Sequence, residues 1–208
     1  MRFHRRKMFK KDIKEKLILL IIMVDSVATH AETVLNLDTI TQENTVSTHI
    51  LGDEWTMWAH LPHDTDWSVS SYKRIQDFNS IEQAITLTET LPHQMIRNCM
   101  LFVMRKGISP TWEDVRNRAG GCFSYKVSNK IVPAVWRDLT YTMVGETLGT
   151  TPTYQTSING ITISPKKNFC VVKVWMADCR SQDPNIISPI GTAIVSQGCL
   201  FKKHNPEY

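Results

Sequence analysis

Trp112, Glu113 and Asp114 are the residues of this 208-residue chain whose types and spacing best suit molecular recognition. They follow the turn Gly107–Pro110 and precede a polar loop, so the indole is not expected in the middle of a buried element. An indole stacks on a nucleic-acid base, and a carboxylate accepts two parallel N–H donors, which guanine offers on one edge and adenine does not. The triplet therefore predicts a loop that binds a purine and prefers guanine.

A second tryptophan, Trp67, is expected to begin a strand after the polar turn Pro62–Asp66, at an exposed position. Two indole faces around one base would bind it favourably, and more so if the base carried a positive charge. Half-buried packing is the commoner role of such tryptophans. Spacing alone leaves both roles open for Trp67 and Trp112.

Enzymatic chemistry has little support in the sequence. The chain lacks the glycine-rich phosphate motifs, the Gly-x-Ser-x-Gly nucleophile motif and any Cys-x-x-Cys pair. His60 and His63 flank a turn without a nearby third ligand, and a solvated turn is the commoner reason for such a pair. We therefore expect no catalysis, no cofactor and no metal ion.

The net charge of +4 comes from the N-terminus. Residues 1–16 carry eight basic and two acidic side chains, so the other 192 residues sum to −2. A generally basic surface is thereby excluded as an argument for nucleic-acid binding. Residues 160–208 sum to +3, so any anion site is expected to be local and to lie in the C-terminal half.

Residues 1–48 are expected to form a disordered tail and linker. Basic side chains precede the eight-residue apolar run Leu17–Val24, which is the outline of a secretory signal. Eight residues are too few to span a bilayer, which needs about 20. No clean cleavage site follows the run, and the five cysteines are an odd number. A basic leader on a cytoplasmic protein is the preferred interpretation, and a secreted or membrane-associated domain is the alternative.

The patterns after the tail predict one α+β domain, residues 49–208, with a mostly antiparallel sheet. Ser80 caps a helix that Pro92 stops, and Gly149 is expected to cap the helix that Pro133 begins. The predicted strands are 54–61, 100–106, 122–127, 158–164, 169–177 and 198–203, and the predicted helices are 80–91, 133–148 and 184–197.

Several motifs follow one another in an order that is specific to one family. They are Trp55-Thr56-Met57-Trp58, Trp67, the run Gly107–Asp114, Asn117, Gly120-Gly121, Trp136, Gly145-Glu146 and Trp175. In these residues the sequence resembles the eukaryotic translation initiation factor 4E family, which binds the 7-methylguanosine cap of messenger RNA. The resemblance implies a curved antiparallel sheet of about eight strands, with three helices on its convex back and the cap slot on its concave face.

The resemblance also implies roles for individual residues. Trp67 and Trp112 would sandwich the methylated base, Glu113 would accept its N–H donors, and Trp175 would lie against the N7-methyl group. The phosphate-binding candidates are Lys166, Lys173, Lys167 and Arg116. Cys122 and Val171 stand where the family usually has basic residues, which weakens the expected phosphate site. Trp55, Trp58 and Trp136 are assigned to packing.

The convex surface departs further from the family, in which it receives a helical peptide of an initiation scaffold. The matching positions hold His49, Ile81, Ile85, Arg137, Asp138 and Gly145. Ile85 replaces an anchoring tryptophan and Arg137 replaces an apolar residue, so scaffold binding is expected to be weakened. The predicted function is cap binding in translation initiation, and a cap-binding repressor or a paralogue with altered scaffold binding is the alternative.

Overall fold

The computed structural model describes residues 48–62 and 64–206. The predicted tail lies almost wholly outside these residues, as does the apolar run Leu17–Val24. The boundary between tail and domain therefore stays a prediction.

A seven-stranded antiparallel sheet is the central element of the described residues. Its strands are β1 (Ile50–His60), β2 (Lys73–Ser80), β3 (Met100–Arg105), β4 (Gly121–Ser128), β5 (Ile158–Pro165), β6 (Phe169–Met176) and β7 (Leu200–Lys203). They lie in the order β2-β1-β3-β5-β6-β4-β7, and every neighbouring pair is antiparallel. The predicted fold class is confirmed, with seven strands in place of about eight.

The two faces of the sheet carry different clusters because side chains alternate along a strand. On β3, Leu101 and Val103 pack into the large core that the helices cover. Phe102 and Met104 point to the other face, where they form a smaller cluster with Trp175 of β6. This second face carries the candidate site, and we call it the slot face.

Four α-helices are present among the described residues. They are α1 (Ile81–Thr90), α2 (His93–Asn98), α3 (Val132–Val144) and α4 (Pro152–Thr156). The predicted N-cap of α1 is confirmed, because the Ser80 side chain accepts a hydrogen bond from the Gln83 N–H at 3.2 Å. α3 packs against α1, α2, β1 and β5, and it buries Trp136 completely.

The predicted end of the second long helix was wrong. α3 stops at Val144 rather than at residue 148, and Gly145 caps it. Glu146 then takes a left-handed conformation with φ of 58°, which turns the chain away from the helix. Gly149 instead permits a close approach to α4, since a Cβ there would lie 2.3 Å from the backbone nitrogen of Gln155 in the last turn of that helix.

The predicted helix over 184–197 was also wrong, and with it the count of three helices. Only a 3-10 turn, Pro184–Ile186, forms in this segment. Pro189 interrupts any helical ladder, and Gly191 and Gly198 adopt positive φ values of 52° and 78°. Trp67 does not begin a strand either, because it lies in the loop before the 3-10 turn Val69–Ser71, and β2 starts later.

Candidate functional site

A cavity of about 650 Å³ opens on the slot face and brings together six of the predicted site residues. We call it the slot. Its predicted members are Trp67, Trp112, Glu113, Trp175, Lys166 and Lys173. They come from two loops, from the β5–β6 hairpin and from β6 itself, so the antiparallel topology rather than sequence proximity assembles them.

Trp67 is 56% exposed and is held on one ring face by a histidine. The ring of His60, the last residue of β1, stacks on the indole with centroids 4.4 Å apart and an interplanar angle of 1°. His60 is only 2% exposed, and its Nε2 donates to the Asp66 carbonyl at 2.8 Å. The predicted solvated turn is thus wrong for His60, which supports the Trp67 ring.

The ring of Trp112 is also held on one face by a histidine, which comes from the C-terminal end of the chain. His204, just after β7, stacks on the indole with centroids 5.7 Å apart and an interplanar angle of 14°. Its Nδ1 donates to the Asn117 carbonyl at 2.6 Å, and Cys122 Sγ lies 3.0 Å from its Nε2. Burial lowers the pKa of His204 and raises the pKa of Cys122 to about 12, so a neutral thiol donates to a neutral imidazole.

The segment Gly107–Gly120, which we call the site loop, is fixed by the polar side chains of the half-buried Asp114 and the buried Asn117. Asp114 accepts hydrogen bonds from the backbone N–H groups of Ser109 and Arg116, at 2.7 and 2.9 Å. Asn117 is fully buried, and its amide nitrogen donates to the carbonyls of Ser109 and Thr111. Trp112 and Glu113 are therefore presented by a loop whose backbone is held by hydrogen bonds to the side chains of Asp114 and Asn117.

Asn159 of β5 ties the site loop to the sheet. Its amide nitrogen donates to the Arg116 carbonyl at 2.7 Å and to Asn117 Oδ1 at 3.0 Å. At the end of the loop, a Cβ on Gly120 would lie 1.8 Å from the Met176 carbonyl oxygen, so only glycine permits this approach to β6.

Aromatic rings form the floor of the slot. Tyr72 and Phe102 meet edge to face with centroids 5.4 Å apart, and Phe102 meets Trp175 in the same way at 6.4 Å. The indole N–H of Trp175 donates to Thr162 Oγ1 at 2.6 Å, which fixes the ring. Burial and the charge of Glu113 raise the pKa of Tyr72 to about 12, so its phenol stays neutral.

The charged groups of the slot are one carboxylate and two ammonium groups. Glu113 is half-buried beside Trp112. Lys173 stands on β6 two residues before Trp175, and Lys166 lies in the β5–β6 turn, where its N–H donates to the Phe169 carbonyl. A carboxylate near the indoles and cations farther along the sheet suit a ligand with a base at one end and phosphates at the other.

Two predicted phosphate residues do not line the slot. Lys167 is exposed in the turn but is not part of the cavity. Arg116 points to a second cleft of about 910 Å³ and donates to the Lys106 carbonyl at 3.2 Å. None of the described residues that line this second cleft is aromatic, and its Arg105 and Lys106 pair with Asp53 and Glu54. The larger cleft is therefore the poorer candidate for a ligand site.

The structure shows the surroundings of Cys122 and Val171, which stand at two positions where the family usually has basic residues. Cys122 is buried on the slot face beneath His204, and it supports the ring of that histidine instead of reaching a ligand. Val171 is half-buried two residues before Lys173 on the same face of β6. Of the predicted phosphate residues, Lys166 and Lys173 remain.

The predicted partner residues lie on the helical side of the sheet. Ile81 and Ile85 of α1 are 44% and 45% exposed. His49 Nδ1 contacts Glu82 at 2.7 Å, and this hydrogen bond lowers the pKa of Glu82 to about 2. Arg137 pairs with Asp138 at 3.0 Å, and Gly145 is exposed at the end of α3. These residues offer a modest apolar surface with charges at its border.

Residues 48–62 and 64–206 contain neither a metal-binding cluster nor a membrane-spanning helix. No group of three or more metal-ligating side chains occurs there. Within the same residues, no helix has the length and apolar character needed to cross a bilayer. The five cysteines are free, and three of them are buried.

Residues 50–205 match the sequence profile of the family described as eukaryotic initiation factor 4E. Eukaryotic translation initiation factor 4E-2 of Schizosaccharomyces pombe is 30% identical over 172 residues, which cover 78% of this chain and 67% of that protein. Factor 4E-1 of the same yeast is 27% identical over 154 residues, with coverage of 69% and 66%. The chain thus spans about two thirds of the length of both relatives.

Among solved structures, the complex of C. elegans eIF4E-3 with the 4E-binding protein Mextli and cap analog is similar to this chain. The TM-score is 0.60 at 23% identity, over 67% of this chain and 80% of that one. At this identity the likeness concerns the fold, and it agrees with the open antiparallel sheet covered by helices on one side.

Proposed function

The chain belongs to the eukaryotic initiation factor 4E family, and we propose that its slot binds the 7-methylguanosine cap of messenger RNA. One observation carries the proposal. A single cavity holds Trp67, Trp112 and Glu113, and each indole is backed by a buried histidine. Two rigid aromatic faces beside one carboxylate suit a flat, positively charged guanine.

The methyl group at N7 accounts for the selectivity of the slot for 7-methylguanine over guanine. Methylation gives the guanine ring a positive charge, so stacking between Trp67 and Trp112 gains a cation–π contribution. The same charge strengthens the N1–H and N2–H groups as donors to Glu113. Trp175 lies on the floor of the slot and takes the side of the ring that carries the methyl group.

The triphosphate is proposed to contact Lys166 and Lys173. The two ammonium groups act as point charges, without the bidentate geometry of an arginine. Stacking contributes about 1–3 kcal/mol per base, and each charge-assisted hydrogen bond about 1.5–3 kcal/mol. Association costs offset part of this sum, so we expect a Kd near 1 μM, about −8 kcal/mol.

This binding activity suits a non-enzymatic translation initiation factor that acts in the cytoplasm. Family membership and relatives named as translation initiation factors support that role. The altered convex surface keeps a second role open, that of a cap-binding repressor or a paralogue with its own scaffold.

A helical scaffold peptide is the proposed partner of the convex surface, with lower affinity than usual in the family. Ile81 and Ile85 can bury an apolar peptide face, but no aromatic anchor stands at Ile85, and the charge of Arg137 borders the site. The 4E-binding protein Mextli is a suitable probe. We expect the double variant Ile85→Trp, Arg137→Leu to bind Mextli at least tenfold more tightly than the wild type does. Equal affinity of the two proteins for Mextli would rule out this surface as the peptide site.

The cap proposal is tested by titrating purified variants with 7-methyl-GTP. Glu113→Gln keeps the size of the side chain and removes its charge, so affinity should fall about tenfold or more, as should that of Trp112→Leu. Glu89→Gln removes a carboxylate from α1, outside the slot, and should bind like the wild type. Unchanged affinity in both slot variants would contradict the proposed function.

A further inference from the structure

We propose that the slot face of β4, β6 and β7 binds the first transcribed nucleotides of a capped RNA through Lys126, Lys173 and Lys202, which we call the basic face. This inference rests on the proposed function, because it extends the path of the RNA from the slot. Lys126 and Lys202 lie outside the slot cavity, and Lys173, which lines it, connects them to the slot.

The register of the sheet places these three lysines on one face. Cys122 of β4 pairs with Trp175 on one side and with Lys202 on the other. Directly opposite residues in an antiparallel sheet share a face, so Lys202 stands on the same side as Trp175. Its ammonium group also lies 5.9 Å from the centroid of the Trp112 ring.

The next rows of the sheet continue this pattern. Ser124 pairs with Lys173 and with Leu200, and Lys126 pairs with Val171, two residues before Lys173. Strands lie about 4.8 Å apart and same-face residues are about 6.8 Å apart along a strand. The three lysines therefore surround a small open area next to the slot.

The charge of this area is of one sign. The strand ranges Gly121–Ser128, Phe169–Met176 and Leu200–Lys203 contain no aspartate or glutamate. Lys126 and Lys202 are exposed, and Lys173 is half-buried where it also lines the slot. A cationic sheet face that is continuous with a base-binding slot fits a single-stranded polyanion, whose bases have no partner strand.

Lys203 provides a matched control. It alternates with Lys202 along β7 and so shares the side of Phe201, which packs on the large core with the Phe123 ring at 4.8 Å. Lys203→Ala removes the same charge from the same strand but from the opposite face. Any effect of total charge alone should therefore appear in this variant as well.

The experiment measures the Kd of a capped pentanucleotide and of the cap dinucleotide for each variant, by tryptophan fluorescence. The readout is the ratio of the two values, which cancels any effect of Lys202 on Trp112. In the wild type we expect the pentanucleotide to bind about three- to tenfold tighter. The double variant Lys126→Ala, Lys202→Ala should lose this advantage, and Lys203→Ala should keep it.

The salt dependence gives a second readout. Two lost phosphate contacts should lower the slope of log K against log salt by about 1.4, at about 0.7 per contact for a single strand. A ratio of one in the wild type, or an equal loss in Lys203→Ala, would overturn the proposal. An uncapped pentanucleotide separates this site from the cap: its binding should weaken in the double variant even if the cap dinucleotide does not bind.

Discussion

Trp67 and Trp112 each have one ring face against a buried histidine, and this pairing is the main feature at the scale of single residues. The imidazole of His60 lies flat on Trp67, and that of His204 lies nearly flat on Trp112. A ring held in this way loses little freedom when a ligand stacks on its other face, which lowers the entropic cost of binding.

Removal of one backing ring should therefore weaken ligand binding without removing a ligand contact. For His60→Ala we expect the affinity for 7-methyl-GTP to fall about two- to tenfold, since aromatic pairs contribute about 0.5–1.5 kcal/mol beyond their area. His60→Phe keeps the stacked ring and should retain most of the affinity. The measurement is a fluorescence titration, in which the emission of Trp67 also reports its exposure.

His93→Ala is a suitable control, because His93 is exposed in α2, on the helical side of the sheet. Equal losses in His60→Ala and His60→Phe would show that the hydrogen bond to Asp66, rather than stacking, is what matters.

The roles of His204 and Asn159 could not be predicted from local sequence. Trp112, Glu113 and the following Gly120-Gly121 stand together in the chain, so their pattern is visible without a structure. His204 is 87 residues from the Asn117 carbonyl to which it donates, and Asn159 is 42 residues from Asn117. Only the pairing of β7 with β4, and of β5 with β6, brings them to the site loop.

At the scale of elements, the site loop depends on β7 through His204. The Nδ1–H of this residue bonds the Asn117 carbonyl, its Nε2 faces Cys122, and the charges of Lys173 and Glu113 act on it in opposite directions. Burial is the largest influence, and it lowers the pKa of His204 below its usual 6.5. The imidazole is therefore neutral in the folded protein at pH 7.

This shift predicts a loss of stability in mild acid. Below pH 6.5 the unfolded chain takes up a proton at His204 more readily than the folded protein, so the free energy of unfolding decreases. The contribution is complete above pH 6.5 and is lost as the pH falls through the folded-state pKa. Urea unfolding from pH 7.5 to 5.5 should show this decrease in the wild type and a smaller one in His204→Gln.

A slope that is the same in both proteins would contradict the assigned protonation state. NMR titration of the His204 ring in the wild type checks the same point without a substitution, and a pKa at or above 6.5 would also contradict it.

The helix boundaries show where local sequence patterns predict the ends of an element correctly and where they do not. Ser80 and Pro92 bound α1 as predicted, because a capping side chain and a proline act on their own neighbours. α3 ends four residues before the predicted 148, because Gly145 caps it and Glu146 then turns the chain away, whereas the prediction placed the cap at Gly149. The segment 184–197 fails as a helix because Pro189 and Gly191 outweigh its weak apolar spacing.

At the scale of the whole molecule, one sheet separates two proposed binding surfaces. The helical side carries the core and the proposed peptide surface around Ile81 and Ile85, and the opposite side carries the slot and the basic face. Strand alternation allowed the α+β class and the antiparallel sheet to be predicted. The order β2-β1-β3-β5-β6-β4-β7 depends on long-range pairing, which the sequence pattern does not encode locally.

The net charge of the whole chain does not describe the charge next to the slot. Residues 1–16 sum to +6 and the other 192 residues to −2, whereas the basic side chains next to the slot are few and local. Recognition of the cap should therefore depend mostly on stacking and on Glu113, with a modest dependence on salt.

The central claim is that the slot selects a methylated, cationic guanine, and tryptophan fluorescence of the wild-type protein tests it most directly. Titration with 7-methyl-GTP should quench the emission with a Kd in the micromolar range, and GTP should bind at least tenfold more weakly, because it lacks the positive charge on the ring. Equal affinity for the two nucleotides, or no quenching by either, would contradict the account.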